Sequence, residues 1–285
     1  MQRSSDKKPY ICNPYTNKLS VMHKIFHSAS IAFIASIATL VLGLGTEAMA
    51  QRPQPYLSID ELPDLVKCLP APPDTTSPQF ANDVIRYMWG KSMRQDPERA
   101  AQALKDAVWD LDSLAIVFSE PFGMLITKEN TPEIHTALVR GLATIEQIRV
   151  RPKAHFKRKR PFERFNEHTL NIEEEGELRG EGSYPSGHTI RGWGAALILS
   201  EINPAAANDL YARGWVYGEN RVITGAHWQS DVDASRAAAS IGYSVLQTSS
   251  AYREQIGKAR EEFYRKCFLE QKRAREVPVA NKRVK

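Results

Sequence analysis

A histidine and an aspartate four residues apart form the pattern in this sequence that is best suited to catalysis. The pair is His227 and Asp231, and on a helix this spacing would place both side chains on one face. A carboxylate in that position can accept a hydrogen bond from one imidazole nitrogen, which leaves the other nitrogen with a lone pair, as a nucleophile requires. The same spacing also occurs in ordinary side-chain pairs on helix surfaces, so the pair alone leaves both interpretations open.

A second histidine lies where a helix is predicted to begin. Ser186 can cap a helix that starts at Gly187, and the N-terminus of a helix binds anions through unpaired backbone N–H groups and the positive end of its dipole. Gly187 would let the backbone approach a ligand closely. His188 would then stand beside the anion, where it could give a proton to a leaving oxygen. The alternative is an ordinary N-cap followed by an exposed histidine.

Basic residues that could bind an anion are concentrated in one stretch. Residues 151–160 contain six Lys or Arg, and Arg221 lies six positions before His227. Arginine has a planar fork that matches phosphate oxygens, and lysine supplies a point charge. A run of this kind is more often solvated surface or a patch that binds polyanions. Composition cannot say which of the six would be ligands.

Taken in order, these segments resemble the three-part signature of the type-2 phosphatidic acid phosphatase superfamily. The parts are Lys-x6-Arg-Pro at 153–161, Pro-Ser-Gly-His at 185–188 and Arg-x5-His-x3-Asp at 221–231. That superfamily includes the vanadium-dependent haloperoxidases. The longer string Gly-Ser-Tyr-Pro-Ser-Gly-His-Thr at 182–189 is similar to the class A bacterial non-specific acid phosphatases, and the likeness extends over most of residues 54–250.

The resemblance implies a role for each matching residue. His227 would attack phosphorus and become a phosphohistidine, Asp231 would orient it, and His188 would protonate the leaving group and later activate water. The phosphoryl oxygens would be held by five residues, namely Lys153, Arg160, Ser186, Gly187 and Arg221. The family needs no metal, so no cofactor is expected. Asn220 stands where the family usually has serine, and no role is assigned to it.

Helices are predicted to position these residues. Three of them begin with a capping residue followed by proline, at Ser77-Pro78, Asp96-Pro97 and Thr131-Pro132. The second of these is expected to run as one helix with a continuous apolar stripe. That stripe consists of Leu104, Val108, Leu111, Ala115 and Phe118.

Four further helices are predicted in the C-terminal half, over residues 187–202, 205–217, 227–246 and 253–275. Alternating strand patterns and internal repeats are lacking. The sequence therefore predicts an all-α fold, a compact helical bundle of the type-2 phosphatidic acid phosphatase and haloperoxidase kind. This acid phosphatase domain would span residues 79–285 and include a basic C-terminal tail.

The N-terminal part of the chain has the composition of a targeting segment. Residues 29–44 are almost wholly apolar or small and are followed by Ala48-Met49-Ala50, which predicts a signal peptide cleaved after Ala50. Residues 1–21 do not resemble the start of a signal peptide, so Met22 is the predicted initiator. The alternative is an uncleaved membrane anchor, for which the apolar run is short. Residues 51–78 hold seven prolines and are predicted to form an arm on the domain surface.

Export would place two cysteines in an oxidising compartment. Cys12 would leave with the N-terminal extension and signal peptide of residues 1–50, and Cys68 and Cys267 would remain. The two could form a disulfide that ties the ends of the mature chain together, or they could be two buried thiols. The sequence leaves both possibilities open because it does not place their Cα atoms.

The bulk composition narrows the classes of function. With 42% hydrophobic and 25% charged residues the chain can bury a core, so disorder is not expected. Its net charge of +5 lies at the two ends, with five Lys or Arg against two acidic residues in 1–50 and six against one in 272–285. The stretch between them is net acidic, and a basic tail is usually solvated, so nucleic acid is not an expected partner.

The sequence therefore predicts a periplasmic or secreted acid phosphatase that hydrolyses small phosphate monoesters through a phosphohistidine. Phosphate and vanadate would inhibit it, no membrane insertion would persist after cleavage, and the resemblance suggests a homodimer. A lipid phosphatase or a phosphotransferase of the same superfamily is the alternative. A haloperoxidase that uses vanadate is a less favoured alternative. An alternative of another class is an exported protein without catalysis that binds polyanions through residues 151–160 and the basic tail.

Overall fold

The computed structural model describes residues 53–276, and all regular secondary structure in that range is helical. The predicted all-α fold is confirmed. In chain order the α-helices are α1 (Leu65–Cys68), α2 (Pro78–Met93), α3 (Pro97–Lys105), α4 (Leu111–Phe122), α5 (Pro132–Ile145), α6 (Val150–Phe156), α7 (Pro161–Phe165), α8 (Glu175–Leu178), α9 (Gly187–Ile202), α10 (Ala207–Ile223), α11 (Gln229–Leu246) and α12 (Ser250–Glu276). Short 3₁₀ turns connect several of them.

Local capping fixes where several helices begin, as the sequence predicts. The Ser77 hydroxyl accepts the Phe80 N–H at 3.2 Å at the start of α2. The Asp96 carboxylate accepts the Glu98 N–H at 2.9 Å at the start of α3. Each bond satisfies a backbone donor that has no partner within its helix, and the proline that follows lacks such a donor. Helix α9 has the predicted bounds as well.

The prediction of one helix running from Pro97 through Phe118 is wrong. The chain leaves helical geometry at residues 106–110, between α3 and α4. The Asp106 carboxylate is buried there, and it accepts hydrogen bonds from Arg213 at 2.5 and 2.8 Å and from Asn220 at 2.7 Å. Two residues assigned to the apolar stripe are exposed, Leu104 and Val108. The break is held by this buried network, whose partners come from a distant part of the chain.

Helix α9 lies at the centre of the bundle. It packs against α10, α11 and α5, while α12 packs along α5. Helix α10 continues to Ile223, six residues beyond the predicted end, so that Arg221 lies in its last turn. Helix α11 begins at Gln229, two residues later than predicted. His227 therefore lies in the connection between α10 and α11.

The proline-rich segment lies against the bundle. The Tyr56 N–H donates to the Thr144 hydroxyl at 2.8 Å, and the Tyr184 hydroxyl donates to the Pro70 carbonyl at 2.6 Å. Cys68 is exposed and Cys267 is buried, and no disulfide joins them. The predicted extension, signal peptide and cleavage point lie outside the described residues, as does the end of the basic tail. Within residues 53–276, none of the helices has the length and hydropathy needed to cross a lipid bilayer.

Candidate active site

The first two predicted segments lie side by side. The Lys153 ammonium group in α6 donates to the Gly182 carbonyl at 2.5 Å, and the Ser183 N–H donates to the Arg158 carbonyl at 2.9 Å. A Cβ atom on residue 182 would lie 2.6 Å from the Lys153 carbonyl oxygen, so this close approach requires glycine. The backbone contact holds the lysine beside the N-terminus of α9.

The N-terminus of α9 is built as predicted. The buried Ser186 hydroxyl accepts the Thr189 N–H at 3.3 Å, and the Ser186 N–H donates to the Ser235 hydroxyl at 2.7 Å. Gly187 is the first residue of the helix. The contact with Ser235 ties the N-terminus of α9 to α11, where Asp231 lies.

His188 is buried rather than exposed, with 6% of its surface accessible. Its Nε2 donates to the Ala107 carbonyl at 2.9 Å, and its ring meets the edge of Trp109 at a centroid distance of 4.6 Å. Both partners belong to the break between α3 and α4, so the segment that the sequence did not predict forms a wall of the site. Burial, together with the positive charge of Arg221, holds the pKa of His188 well below its ordinary value.

His227 faces a guanidinium on one side and a carboxylate on the other. Its Nε2 lies 3.0 Å from Arg160 Nη1, and its Nδ1 lies 3.4 Å from Asp231 Oδ2. Because arginine can only donate, Nε2 is the acceptor and Nδ1 carries the proton. Burial, and then the charges of Arg160 and Lys153, lower the pKa of His227 well below its ordinary value, although a backbone contact with Ser183 opposes them. The imidazole is therefore neutral, with its lone pair on Nε2.

The expectation that this pair shares one face of a helix is wrong. His227 precedes α11, Trp228 is the N-cap, and Asp231 is the third residue of the helix. Asp231 Oδ2 accepts the Trp228 N–H at 2.9 Å, and this bond turns the carboxylate back toward the connection. At 3.4 Å the contact with Nδ1 is longer than a well-formed hydrogen bond.

Three buried cations lie around His227, and we call Lys153, Arg160 and Arg221 the cation cluster. Arg160 also donates from Nε to the Leu178 carbonyl at 3.1 Å. Burial, reinforced by the charge of Arg160, lowers the pKa of Lys153 to about 7. Within the described part of the chain, the buried Nε and Nη1 atoms of Arg221 have no hydrogen-bond partner. Buried guanidinium nitrogens without a hydrogen-bond partner can donate to an anionic ligand.

Two members of the cluster, Lys153 and Arg160, line a cavity of about 360 Å³ together with His188 and His227. Of the six basic residues at 151–160, the structure buries Lys153 and Arg160 at this cavity, whereas Lys157 and Lys159 are exposed. Composition alone does not show which of these basic residues line the cavity, and the packing of the fold does.

Known proteins with related sequences cover most of this chain. Residues 135–254 match the PAP2 superfamily. The chain is 38% identical over 233 residues to the non-specific acid phosphatase of Providencia stuartii, which covers 81% of this chain and 94% of that protein. The chain belongs to the class A acid phosphatases.

Two further relatives have the same activity in their names. The non-specific acid phosphatase of Salmonella typhimurium is 40% identical over 215 residues, or 75% of this chain and 85% of that protein. The acid phosphatase of Zymomonas mobilis is 31% identical over 232 residues, or 81% and 88%. This chain is accordingly an acid phosphatase of the PAP2 superfamily.

One basic residue of this acid phosphatase reaches the site in a way the sequence did not reveal. Arg158 Nη1 donates to Asp231 Oδ1 at 2.5 Å, and Arg158 Nη2 donates to Asp83 Oδ2 at 2.6 Å. The buried Asp83 carboxylate also accepts the Ser230 N–H at 2.8 Å. Asp83 lies between Phe80 and Tyr87 on the apolar face of α2, and a carboxylate in that place indicates a buried partner.

Of the eight residues predicted for the site, five line the cavity, namely Lys153, Arg160, Gly187, His188 and His227, and the other three, Ser186, Arg221 and Asp231, are fully buried. The geometry brings them together, while their individual roles remain predictions. No group of three or more His, Cys, Asp or Glu side chains within residues 53–276 is arranged to hold a metal ion.

Proposed function

We propose that this acid phosphatase hydrolyses small phosphate monoesters in two displacement steps, with His227 as the nucleophile. The observation that carries the proposal is the position of His227 Nε2 within the cation cluster. Arg160 Nη1 lies 3.0 Å from Nε2, and Arg221 retains two nitrogens without partners among the described residues. A phosphoryl group bound by these donors would present phosphorus to the histidine lone pair.

In the first step, Nε2 of His227 attacks phosphorus while the bond from phosphorus to the ester oxygen breaks. Arg160 transfers its hydrogen bond from Nε2 to a phosphoryl oxygen, which frees the lone pair. His188 gives its proton to the departing oxygen, so the product is an alcohol rather than an alkoxide. The carboxylate of Asp231 faces Nδ1 and stabilises the positive charge that develops on the imidazole.

In the second step, a water molecule attacks the phosphohistidine. His188, now neutral, accepts the proton of the water as the new oxygen–phosphorus bond forms and the nitrogen–phosphorus bond breaks. Inorganic phosphate and the neutral His227 are the products. In both steps the phosphoryl oxygens would be held by the cation cluster and by Ser186 and Gly187 at the N-terminus of α9.

Trapping the intermediate tests this function. Protein quenched in alkali during turnover of a labelled phosphate ester, without added metal, is expected to carry the label on His227, and mild acid should release it. Peptide mass spectrometry then identifies the modified residue. A label on another residue, or none under conditions of turnover, would contradict the two-step mechanism. The polyanion-binding alternative instead predicts salt-dependent binding with no turnover by the unsubstituted protein.

The two histidines should give the activity an acidic optimum. Burial and the charge of Arg221 lower the pKa of His188, so its imidazole gains a proton only in acidic solution. His227 must stay unprotonated to attack, and its own lowered pKa keeps it so into the acid range. Activity should therefore rise as the pH falls toward the pKa of His188 and fall again once His227 is protonated.

Replacing His188 by alanine should harm substrates according to their leaving groups. Alkyl phosphates need a proton at the departing oxygen, so kcat for them is expected to fall by about 10²- to 10⁴-fold. The fall for p-nitrophenyl phosphate should be much smaller, because its leaving group departs as an anion. Steady-state rates on both substrates across pH measure this. An equal loss on both would mean that His188 only holds the phosphoryl group, and His155 would be the next candidate donor.

Export to the periplasm or medium is part of the proposal, and it rests on residues 1–50. Processing after Ala50 would give a mature protein that begins at Gln51, which N-terminal sequencing of the exported protein checks. Intracellular protein that keeps the apolar segment would contradict it. Phosphate and vanadate are proposed to inhibit by binding to the cation cluster, and a homodimer remains a proposal from the resemblance.

A further inference from the structure

A carboxylate of this chain occupies the cation cluster. Glu181 Oε1 lies 3.2 Å from the Lys153 ammonium and accepts from Arg149 Nη1 at 3.1 Å. Its Oε2 accepts from Arg160 Nη2 at 3.1 Å. One carboxylate thus contacts three cations, two of which are proposed ligands of the phosphoryl group. A carboxylate and a phosphoryl group offer these donors the same kind of oxygen acceptor.

The surroundings of Glu181 keep it ionised. Burial acts to raise its pKa, but the charges of Lys153, Arg160 and Arg149 outweigh this effect and hold the pKa below the ordinary carboxyl value. The side chain is nevertheless 41% exposed and lines the cavity, so solvent lies beside it. An ionised, partly exposed side chain can leave the cations without first being protonated or crossing a packed core.

A second carboxylate from the same region contacts the third member of the cluster. Glu174 Oε1 accepts from Arg221 Nη2 at 2.8 Å, and Glu174 also lines the cavity. Glu174 and Glu181 both belong to the segment that runs from the end of α7 to α9. Each cation of the cluster therefore has an acidic partner from this segment.

We propose that Glu181 sets the affinity of the site for phosphate by competing with the phosphoryl group for Lys153 and Arg160. The proposal rests on the proposed function in one respect, namely that the cation cluster is where the phosphoryl group binds. A ligand that must displace Glu181 binds more weakly than its direct contacts would allow, because only the fraction of molecules with an open cluster can accept it.

Arg149 provides a place for the displaced carboxylate. It bonds to Glu181 but is not among the proposed phosphoryl ligands, so Glu181 can keep this contact while Lys153 and Arg160 turn to phosphate. When the product leaves, the carboxylate returns to the two cations. Glu181 would thereby speed the release of inorganic phosphate from a site whose positive charge would otherwise retain it.

Glu181→Gln separates this role from a purely structural one. The amide keeps the size of the side chain but removes the charge that competes with phosphate. We expect the Kd for inorganic phosphate, measured by isothermal titration calorimetry on the purified full chain, to fall about tenfold. Glu181→Ala removes the competing group altogether and is expected to change Kd in the same direction, and thermal unfolding checks that both variants are folded.

Glu177→Gln is the matched control. Glu177 lines the same cavity and carries the same charge, but it is exposed and has no ion pair among residues 53–276. Its replacement is expected to change Kd by less than about twofold, because solvent screens an exposed charge. A Kd for folded Glu181→Gln that equals that of the unsubstituted protein, or exceeds it, would overturn the proposal. A higher Kd for Glu181→Gln would mean that Glu181 holds the cations in place for the ligand.

Turnover and phosphate binding, measured on the same purified protein, distinguish a failure of this proposal from a failure of the proposed function. Absence of p-nitrophenyl phosphate turnover by the unsubstituted protein would contradict the proposed function. The phosphate titrations of the three variants would still report whether Glu181 competes for the cation cluster.

Discussion

Replacing His227 by alanine is expected to abolish turnover, with kcat reduced on the order of 10⁵-fold or more, as when a catalytic nucleophile is removed elsewhere. No other described imidazole faces both an arginine of the cation cluster and a carboxylate. The substitution removes a neutral side chain, so it leaves no buried charge without a partner. Steady-state kinetics on an aryl and an alkyl phosphate measure the loss, and phosphate titration shows that the cation cluster remains intact.

Chemical rescue gives this variant a further readout. The alanine leaves room beside Arg160 for a small nucleophile, and added imidazole is expected to restore part of the turnover. His168→Ala is the matched control, because His168 is an exposed histidine that does not line the cavity and its loss should leave kcat unchanged. Near-normal turnover by His227→Ala would end its assignment as the nucleophile.

Asp231→Asn is expected to reduce kcat by about 10³- to 10⁴-fold, following the loss seen when an amide replaces the aspartate of a serine protease triad. The amide cannot stabilise the positive charge on His227 as the carboxylate does. In this structure it also faces donors on both sides, Arg158 Nη1 at one oxygen and the Trp228 N–H at the other. One of these donors would then meet an NH₂ group.

The same contacts predict a loss of stability together with the loss of rate. Arg158 keeps its ion pair with Asp83 after the substitution but loses its second ionic partner, and a buried donor left without an acceptor costs roughly 1–3 kcal/mol. Rates must therefore be measured at temperatures where thermal unfolding shows the variant to be folded. Asp233→Asn is the control, since Asp233 lies two residues further along α11 and is exposed. A loss of only a few-fold in kcat for Asp231→Asn would make Asp231 a structural residue.

Sequence by itself determined the features that depend on neighbours within a few positions. Ser77 and Ser186 bond to backbone N–H groups three residues ahead, so the starts of α2 and α9 could be predicted. The order and spacing of the three motifs indicated the family, and the comparisons with acid phosphatases confirm it. All-α architecture followed from helical spacing of apolar residues without alternating patterns.

Contacts between distant parts of the chain determine the helix boundaries that the sequence did not predict. The break between α3 and α4 exists because Asp106 pairs with Arg213 and Asn220, 107 and 114 positions away, and no local signal in the helical stripe reveals such partners. The sequence predicts a helix that begins at His227, and the spacing to Asp231 is compatible with one. The bond from the Trp228 N–H to that aspartate instead starts the helix after His227.

The tertiary structure also decided which charges meet. Six basic residues between 151 and 160 are equivalent by composition, yet packing turns Lys153 and Arg160 toward His227 and leaves Lys157 and Lys159 in solvent. The reason is physical, since a cation is buried only where carboxylates and carbonyls from other segments offset the loss of hydration. Those partners, Glu181 among them, are brought to the site by the fold.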